Sequence, residues 1–168
     1  NGRGMSVYAR AFDHADQVWT DTYLIWENEY FDTFDYHNYP NMAQAPNGSL
    51  LIAYADHVNS LYLLRSLEPN TITGEWEHQL VNEELNGYPM IFTHGDTVYI
   101  FYIRNDDDNW PYRSFGYVTS SDNGATWSEH KVAIDSAQVD PDKIDEVYAD
   151  HFEVEPGGDG QPDRVHFT

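Results

Sequence analysis

The chain has 168 residues, of which 40% are hydrophobic and 15% aromatic, a composition that excludes an intrinsically disordered protein and predicts a packed fold. The formal net charge of −21 disfavours nucleic acids and anionic membranes as partners, because their phosphate groups would be repelled. The absence of cysteine excludes disulfide bonds and thiol chemistry, and no apolar run approaches the ~20 residues of a membrane span.

Short β-rich runs follow one another along the chain. In chain order, the predicted strands comprise residues 6–10, 22–26, 49–54, 61–65, a run around Leu80, 97–102, 115–119 and a run around Val132. A Pro-Asn-Gly turn at 46–48 and a His-Gly-Asp turn at 94–96 each precede one of these strands. No stretch longer than about ten residues keeps a clean helical period, so we predict an all-β fold.

The strand pattern repeats along the chain. The dipeptide at 39–40 recurs 49 residues later at 88–89, as Tyr-Pro in both places. Tyr54 ends a strand in the same way as Tyr102, and Trp76 corresponds to Trp127. Self-similarity over about 40–50 residues, with about four short strands in each unit, is typical of β-propeller blades.

We therefore predict that residues 1–168 form part of one β-propeller domain with four-stranded antiparallel blades. Residues 1–30 are expected to end one blade, residues 37–81 and 88–134 to form two further blades, and residues 148–168 to begin the next. Because a propeller ring needs about 4–8 blades, the sequence predicts a fragment of a larger domain. A self-contained β-sandwich of about eight strands is the alternative.

A turn motif in the second predicted blade supports this fold. Residues from Ser120 to Trp127 fit the Asp-box pattern Ser-x-Asp-x-Gly-x-Thr-Trp. The Asp122 carboxylate is expected to accept hydrogen bonds from turn amides, and Gly124 is expected to take a positive φ. The motif therefore predicts a structural turn, and it carries little information about function.

Candidate functional residues lie where the predicted inner strands begin and end. Equivalent strand ends on adjacent blades converge at the mouth of the central channel of a propeller, so we expect these side chains to share one pocket. The candidates are His37, Asn38, His57, Tyr102, Arg104 and Arg113.

These residue types suit proton abstraction beside a carboxylate, as in a uronic acid residue of a polysaccharide. An arginine or a charged histidine can neutralise the carboxylate and stabilise the enolate-like intermediate. A neutral histidine or a tyrosine can take the C5 proton, and a second such group can protonate the leaving O4 oxygen. The expected reaction is β-elimination.

The His-Asn-Tyr-Pro run at 37–40, the strand at 51–54 leading to His57, and the tryptophan-terminated blade resemble the BNR-4 type of sialidase-like propeller. Within that group, the pair of His37 and His57 followed by Tyr102 is similar to the seven-bladed ulvan lyases of marine bacteria. The resemblance implies a seven-bladed polysaccharide lyase.

The resemblance also implies a catalytic group of His37, His57, Tyr102 and Arg113. Arg104 competes with Arg113 for the arginine role, because the loop between them varies in length, and Arg104 and Asn38 are otherwise expected to bind substrate. A sialidase-like glycoside hydrolase and a non-catalytic carbohydrate-binding propeller are the alternatives. The six arginines and two lysines of the chain would have to supply the positive charge that an anionic polymer needs.

The expected partner is an anionic polysaccharide, with no nucleic acid and no membrane span, and the protein is expected to be a monomer. The chemistry requires no cofactor and no catalytic metal, and a structural Ca²⁺ or Zn²⁺ ion stays an open alternative. We expect secretion to the medium, the periplasm or the cell surface, with a signal peptide outside this sequence. The acidic composition fits salty water, where screening mutes self-repulsion.

Overall fold

The structure is a computed structural model that describes residues 6–27, 39–55, 59–105, 113–135, 149, 151–158 and 161–167. Within these residues every regular element is a β-strand, and no helix that could span a membrane occurs among them. The strands are β1 (Ser6–Ala9), β2 (Phe12–Asp13), β3 (Val18–Trp19), β4 (Tyr23–Glu27), β5 (Asn41–Gln44), β6 (Leu50–Ala55), β7 (Asn59–Ser66), β8 (Trp76–His94), β9 (Thr97–Asn105), β10 (Arg113–Ser120), β11 (Lys131–Ile134), β12 (Phe152–Glu155) and β13 (Arg164–Phe167).

Strands β5 to β11 form one antiparallel sheet in sequence order, and the long strand β8 divides it into two blades. Residues 76–82 of β8 pair with β7, residues 87–94 pair with β9, and Asn86 between them pairs with both Asn59 and Arg104. The register shifts between Gly87 and Met90, and Tyr88 has a positive φ of 51° at this break. The first blade therefore comprises β5, β6, β7 and residues 76–82. The second blade comprises residues 87–94, β9, β10 and β11.

The blades are apolar on both faces because other sheets cover both faces. In β9, Ile100 packs against the first blade, and its neighbour Phe101 packs against β12 and β13. Successive side chains of a strand point to opposite faces of the sheet. When both faces are buried, all of these side chains are apolar, and the sequence of the strand is a continuous hydrophobic run. This explains why the runs 49–54 and 97–102 lack polar alternation.

Four sheets stack in chain order: the β1–β4 pair, the first blade, the second blade and the β12–β13 pair. Three apolar layers separate them, and their members include Val7, Ile25 and Ile52, then Leu63, Ile91 and Ile100, then Phe92, Phe101 and Phe152. This is the face-to-face packing of propeller blades rather than the two layers of a β-sandwich. The predicted all-β fold with four-stranded antiparallel blades is confirmed.

The innermost strands of adjacent blades lie side by side. The Ile91 amide donates a hydrogen bond to Asn41 Oδ1 at 3.1 Å, and the Thr93 hydroxyl donates one to the Gln44 carbonyl at 2.7 Å. The described residues do not include the predicted start of one blade at residue 37 or the predicted start of the last segment at residue 148. The predicted blade bounds therefore stay predictions.

Gly124 makes the closest approach of the second blade's turn to the first blade. Its φ is +83°, and an added Cβ would lie 3.1 Å from Leu51 Cδ2 and 3.2 Å from Leu63 Cδ2. Gly95 has a φ of +56° but faces open space. The two glycines therefore share a backbone conformation and differ in their surroundings.

We expect Gly95→Ala to lower the free energy of unfolding by roughly 1–2 kcal/mol, the cost of a left-handed alanine. Gly124→Ala should cost roughly 1–3 kcal/mol more, because it also overpacks the layer between the blades. Equilibrium urea unfolding of the full-length protein measures both. Equal losses would contradict the tight contact between Gly124 and the first blade.

Candidate functional site

The strand ends of the two blades fall on two opposite rims of the stack. Strand β6 ends at Ala55, β7 begins at Asn59, β9 ends at Asn105 and β10 begins at Arg113, all on the edge that we call the site rim. The opposite edge, which we call the turn rim, carries the turns at 45–49, 67–75, 95–96 and 121–130. The antiparallel register fixes this division, because consecutive strands run in opposite directions.

The predicted site residues are only partly described. His37, Asn38 and His57 lie outside the described residues, so their positions and roles stay predictions. Tyr102, Arg104 and Arg113 are described, and all three lie in the part of β9 or β10 that reaches the site rim.

Tyr102 is fully buried, and its hydroxyl contacts the side chains of Asn82 in β8 and of His130 directly before β11. His130 Nδ1 lies 2.7 Å from the hydroxyl oxygen, and Asn82 Nδ2 donates a hydrogen bond to that oxygen at 3.2 Å. The His130 ring occupies the space where a Cβ on Gly116 would lie, so the glycine is required for this arrangement. Neither His130 nor Asn82 is among the site residues predicted from the sequence.

The first blade repeats the same interaction. The Tyr54 hydroxyl lies 2.7 Å from His78 Nε2, and Trp26 of β4 stacks on the His78 ring with a centroid distance of 4.2 Å. Desolvation by burial lowers the pKa of His78. A tyrosine of the second strand thus bonds a histidine in both blades, His78 in the fourth strand of the first blade and His130 directly before the fourth strand of the second.

This repetition supports a structural function for the tyrosine–histidine pair. The matching positions of His78 and His130 were the sequence signal that could have identified His130. The catalytic function of Tyr102 stays a prediction.

The two candidate arginines lie on opposite faces of the second blade. Arg104 is two residues from Tyr102 in β9 and therefore shares its face, towards the first blade. Arg113 is two residues from Phe115 in β10 and shares the face that packs against β12 and β13. Arg113 is only 7% exposed, whereas Arg104 is partly exposed. Arg104 therefore belongs to the same layer as Tyr102.

The Asp-box lies at the turn rim, away from these candidates, and its predicted turn geometry is confirmed. The Asp122 carboxylate accepts hydrogen bonds from the Thr126 amide at 2.9 Å, the Thr126 hydroxyl at 2.6 Å and the Ser120 hydroxyl at 2.7 Å. Gly124 has a positive φ. The hydrogen bonds from Thr126 and Ser120 lower the pKa of Asp122 to about 2. The carboxylate is thus used within the turn.

The Asp-box turn also joins the two blades. The Asn47 amide of the first blade donates a hydrogen bond to Asn123 Oδ1 at 3.1 Å, and Gln79 Nε2 donates one to the Ala125 carbonyl at 2.9 Å. Together with the approach of Gly124 to Leu51, these bonds fix the distance between the blades at the turn rim.

A structural Ca²⁺ or Zn²⁺ ion is an alternative that the sequence leaves open. Among the described residues, no group of three or more histidine, aspartate and glutamate side chains is arranged to hold a metal ion. The acidic run at 106–108, whose carboxylates are the densest in the chain, lies outside the described residues.

We expect Asp122→Asn to lower the free energy of unfolding by about 1–3 kcal/mol, because an amide nitrogen cannot accept the Thr126 hydroxyl hydrogen bond. Folding favours the ionised carboxylate, since its pKa falls from 3.8 to about 2. Its contribution to stability is therefore complete above about pH 4 and is lost as the pH falls towards 2. Urea unfolding between these pH values measures the effect.

The matched control is Asp96→Asn, which changes an exposed carboxylate of the turn at 95–96 on the same rim. The Asp122 variant should lack part of the acid-induced loss of stability that the wild type and the control both show. An unchanged pH profile in the Asp122 variant would contradict the assigned hydrogen bonds.

Comparison with known proteins places the chain in a family. The model of the family described as BNR repeat-containing family member matches residues 1–161. No curated protein matches the chain. The matched range includes both blades, the β1–β4 pair and β12 but not β13. A propeller of this kind is compatible with sialidase-like or other carbohydrate-active and carbohydrate-binding proteins. The chain therefore belongs to the BNR repeat-containing family.

Proposed function

We propose that the protein is a polysaccharide lyase that cleaves a uronate-containing, ulvan-like polymer by β-elimination at the site rim. The observation that carries the proposal is the polar group around the Tyr102 hydroxyl, with His130 and Asn82 as partners and Arg104 on the same face of β9. Family membership supports the polysaccharide as substrate class.

In the proposed reaction, an arginine or a protonated histidine pairs with the uronate carboxylate and stabilises the negative charge that develops at C5. A neutral histidine takes the C5 proton as the C5–H bond breaks, or Tyr102 takes it while its own phenolic proton passes to neutral His130. The C4–O4 bond then breaks, a C4=C5 double bond forms, and a second acid returns a proton to O4. The step consumes neither water nor a cofactor. The proposed residues are His37, His57, Tyr102, Arg104 or Arg113, and Asn38 for substrate binding.

The hydrogen bonds of Tyr102 support a function in proton transfer. Asn82 donates to the phenolic oxygen, so the hydroxyl proton can be directed towards His130 Nδ1. A proton can then pass between the two groups with little heavy-atom movement, because their atoms are already 2.7 Å apart.

The arrangement of faces supports Arg104 as the arginine that acts with Tyr102, since both belong to the layer between the blades. Arg113 belongs to the layer on the other side of the second blade. With a net charge of −21, the protein needs such a local cation to hold an anionic substrate. Action on an extracellular polymer would require a secreted, periplasmic or surface-attached enzyme.

The lyase activity predicts ultraviolet absorbance from the new conjugated double bond when the full-length protein is incubated with ulvan. Tyr102→Phe should lower kcat by about 100-fold or more, because it removes a group that transfers protons. Tyr54→Phe removes the equivalent hydrogen bond in the first blade, and should lower stability by about 1 kcal/mol while turnover below the unfolding temperature is kept.

Equal effects of the two tyrosine substitutions on turnover would show that Tyr102 acts only in the fold. No absorbance with any of several uronate polymers would contradict the lyase. New reducing ends without absorbance would instead indicate a glycoside hydrolase, and binding without turnover would indicate a carbohydrate-binding propeller.

A further inference from the structure

A short hairpin interrupts the connection between β1 and β4. Strands β2 and β3 pair with each other, and Phe12 lies opposite Trp19. The comparable connections of the two blades, at 67–75 and 121–130, are fully described and contain no strand. The hairpin is therefore an addition to the repeat, and additions at loop positions often carry function.

Aromatic and cationic side chains share one face of this hairpin. Trp19 is 59% exposed, and its ring centroid lies 5.1 Å from that of Phe12. The Arg10 guanidinium carbon lies 5.2 Å from the centre of the Trp19 ring, and the His14 ring packs edge-on against Phe12. We call Arg10, Phe12, His14 and Trp19 the aromatic face. Several large rings that are exposed next to one another indicate a surface that binds a ligand or a partner.

The hairpin is held in place from both ends. At its base, the Thr20 amide donates a hydrogen bond to the Ala11 carbonyl at 2.9 Å, and the Ala11 amide donates one to Thr20 Oγ1 at 3.0 Å. At its tip, Asp13 Oδ1 accepts a hydrogen bond from the Ala15 amide at 2.7 Å. The backbone that carries the rings therefore has little freedom to lose on binding, which favours affinity.

The aromatic face is remote from the site rim. Strand β4 begins beside the turn rim, where the Tyr23 hydroxyl donates a hydrogen bond to the Gly74 carbonyl at 3.1 Å. The hairpin directly precedes this strand, so a ligand on it would leave the site rim open.

We infer that the aromatic face is a second binding site for a polysaccharide chain, separate from the catalytic site rim. The face of a sugar ring carries C–H groups that pack on a flat indole, and Arg10 lies close enough to pair with an acidic substituent of the same sugar. This inference rests on the proposed function, since that function supplies the polysaccharide.

Other partners fit the aromatic face less well. Two rings and their neighbours offer far less than the ~800 Å² per partner that a stable protein interface usually buries. A repeating polymer can use so small a site, because binding at one point raises its concentration at another.

Affinity electrophoresis of the full-length protein in native gels containing ulvan tests the inference. Trp19→Ala should raise the dissociation constant by about tenfold or more, as expected for a tryptophan at the centre of a contact. Trp19→Phe should keep part of the retardation. Val18→Ala is the matched control, because Val18 is 55% exposed on the opposite face of the same hairpin.

Turnover separates this site from the proposed catalytic one. Trp19→Ala should raise KM for the polymer while leaving kcat for a short uronate oligosaccharide unchanged. If the protein proves not to be a lyase, the gels still report binding, so the two proposals can fail separately.

Three results would overturn the second site. The first is equal retardation of wild type, Trp19→Ala and Val18→Ala. The second is no retardation of the wild type by ulvan or by any other uronate polymer. The third is a self-association that sedimentation detects in the wild type and not in Trp19→Ala, which would assign the face to a second copy.

Discussion

Burial of both faces of the central strands of the two described blades is the constraint on which the rest of this structure depends. A single small antiparallel sheet would expose one apolar face and would be at best marginally stable in water. Here Ile100 and Phe101, adjacent in β9, are each buried against a different neighbouring sheet. Because the blades stack face to face, equivalent strand ends of neighbouring blades meet at the site rim, and equivalent turns meet at the turn rim.

Polar contacts add specificity to this packing. The tyrosine–histidine bond joins the second strand of each blade to a histidine in, or directly before, the fourth strand, and the Asp-box joins one blade to the next. The Tyr102 hydroxyl has two assigned functions. It is part of the repeated structural contact, and it is also the candidate proton-transfer group. Such double use is chemically reasonable, because catalysis needs side chains that are held rigidly by their partners.

The local parts of the fold could be predicted from sequence, and the non-local parts could not. Tyr102 stood out because it ends a strand that matches the strand of Tyr54. His130 did not, because it reaches Tyr102 from 28 positions away through the pairing of β9, β10 and β11. Asn82 comes from the neighbouring blade, so only the packing of the sheets shows the contact.

The sequence by itself determined the all-β class, the repeat and the Asp-box turn, because strand periodicity and turn chemistry act between residues close in the chain. Only the tertiary structure decided that Arg104 shares a layer with Tyr102 and that Arg113 does not. It also brought Phe12, Trp19 and Arg10 onto one exposed face. Such groupings depend on strand register and on which sheet covers which face, and a linear pattern of residue types specifies neither.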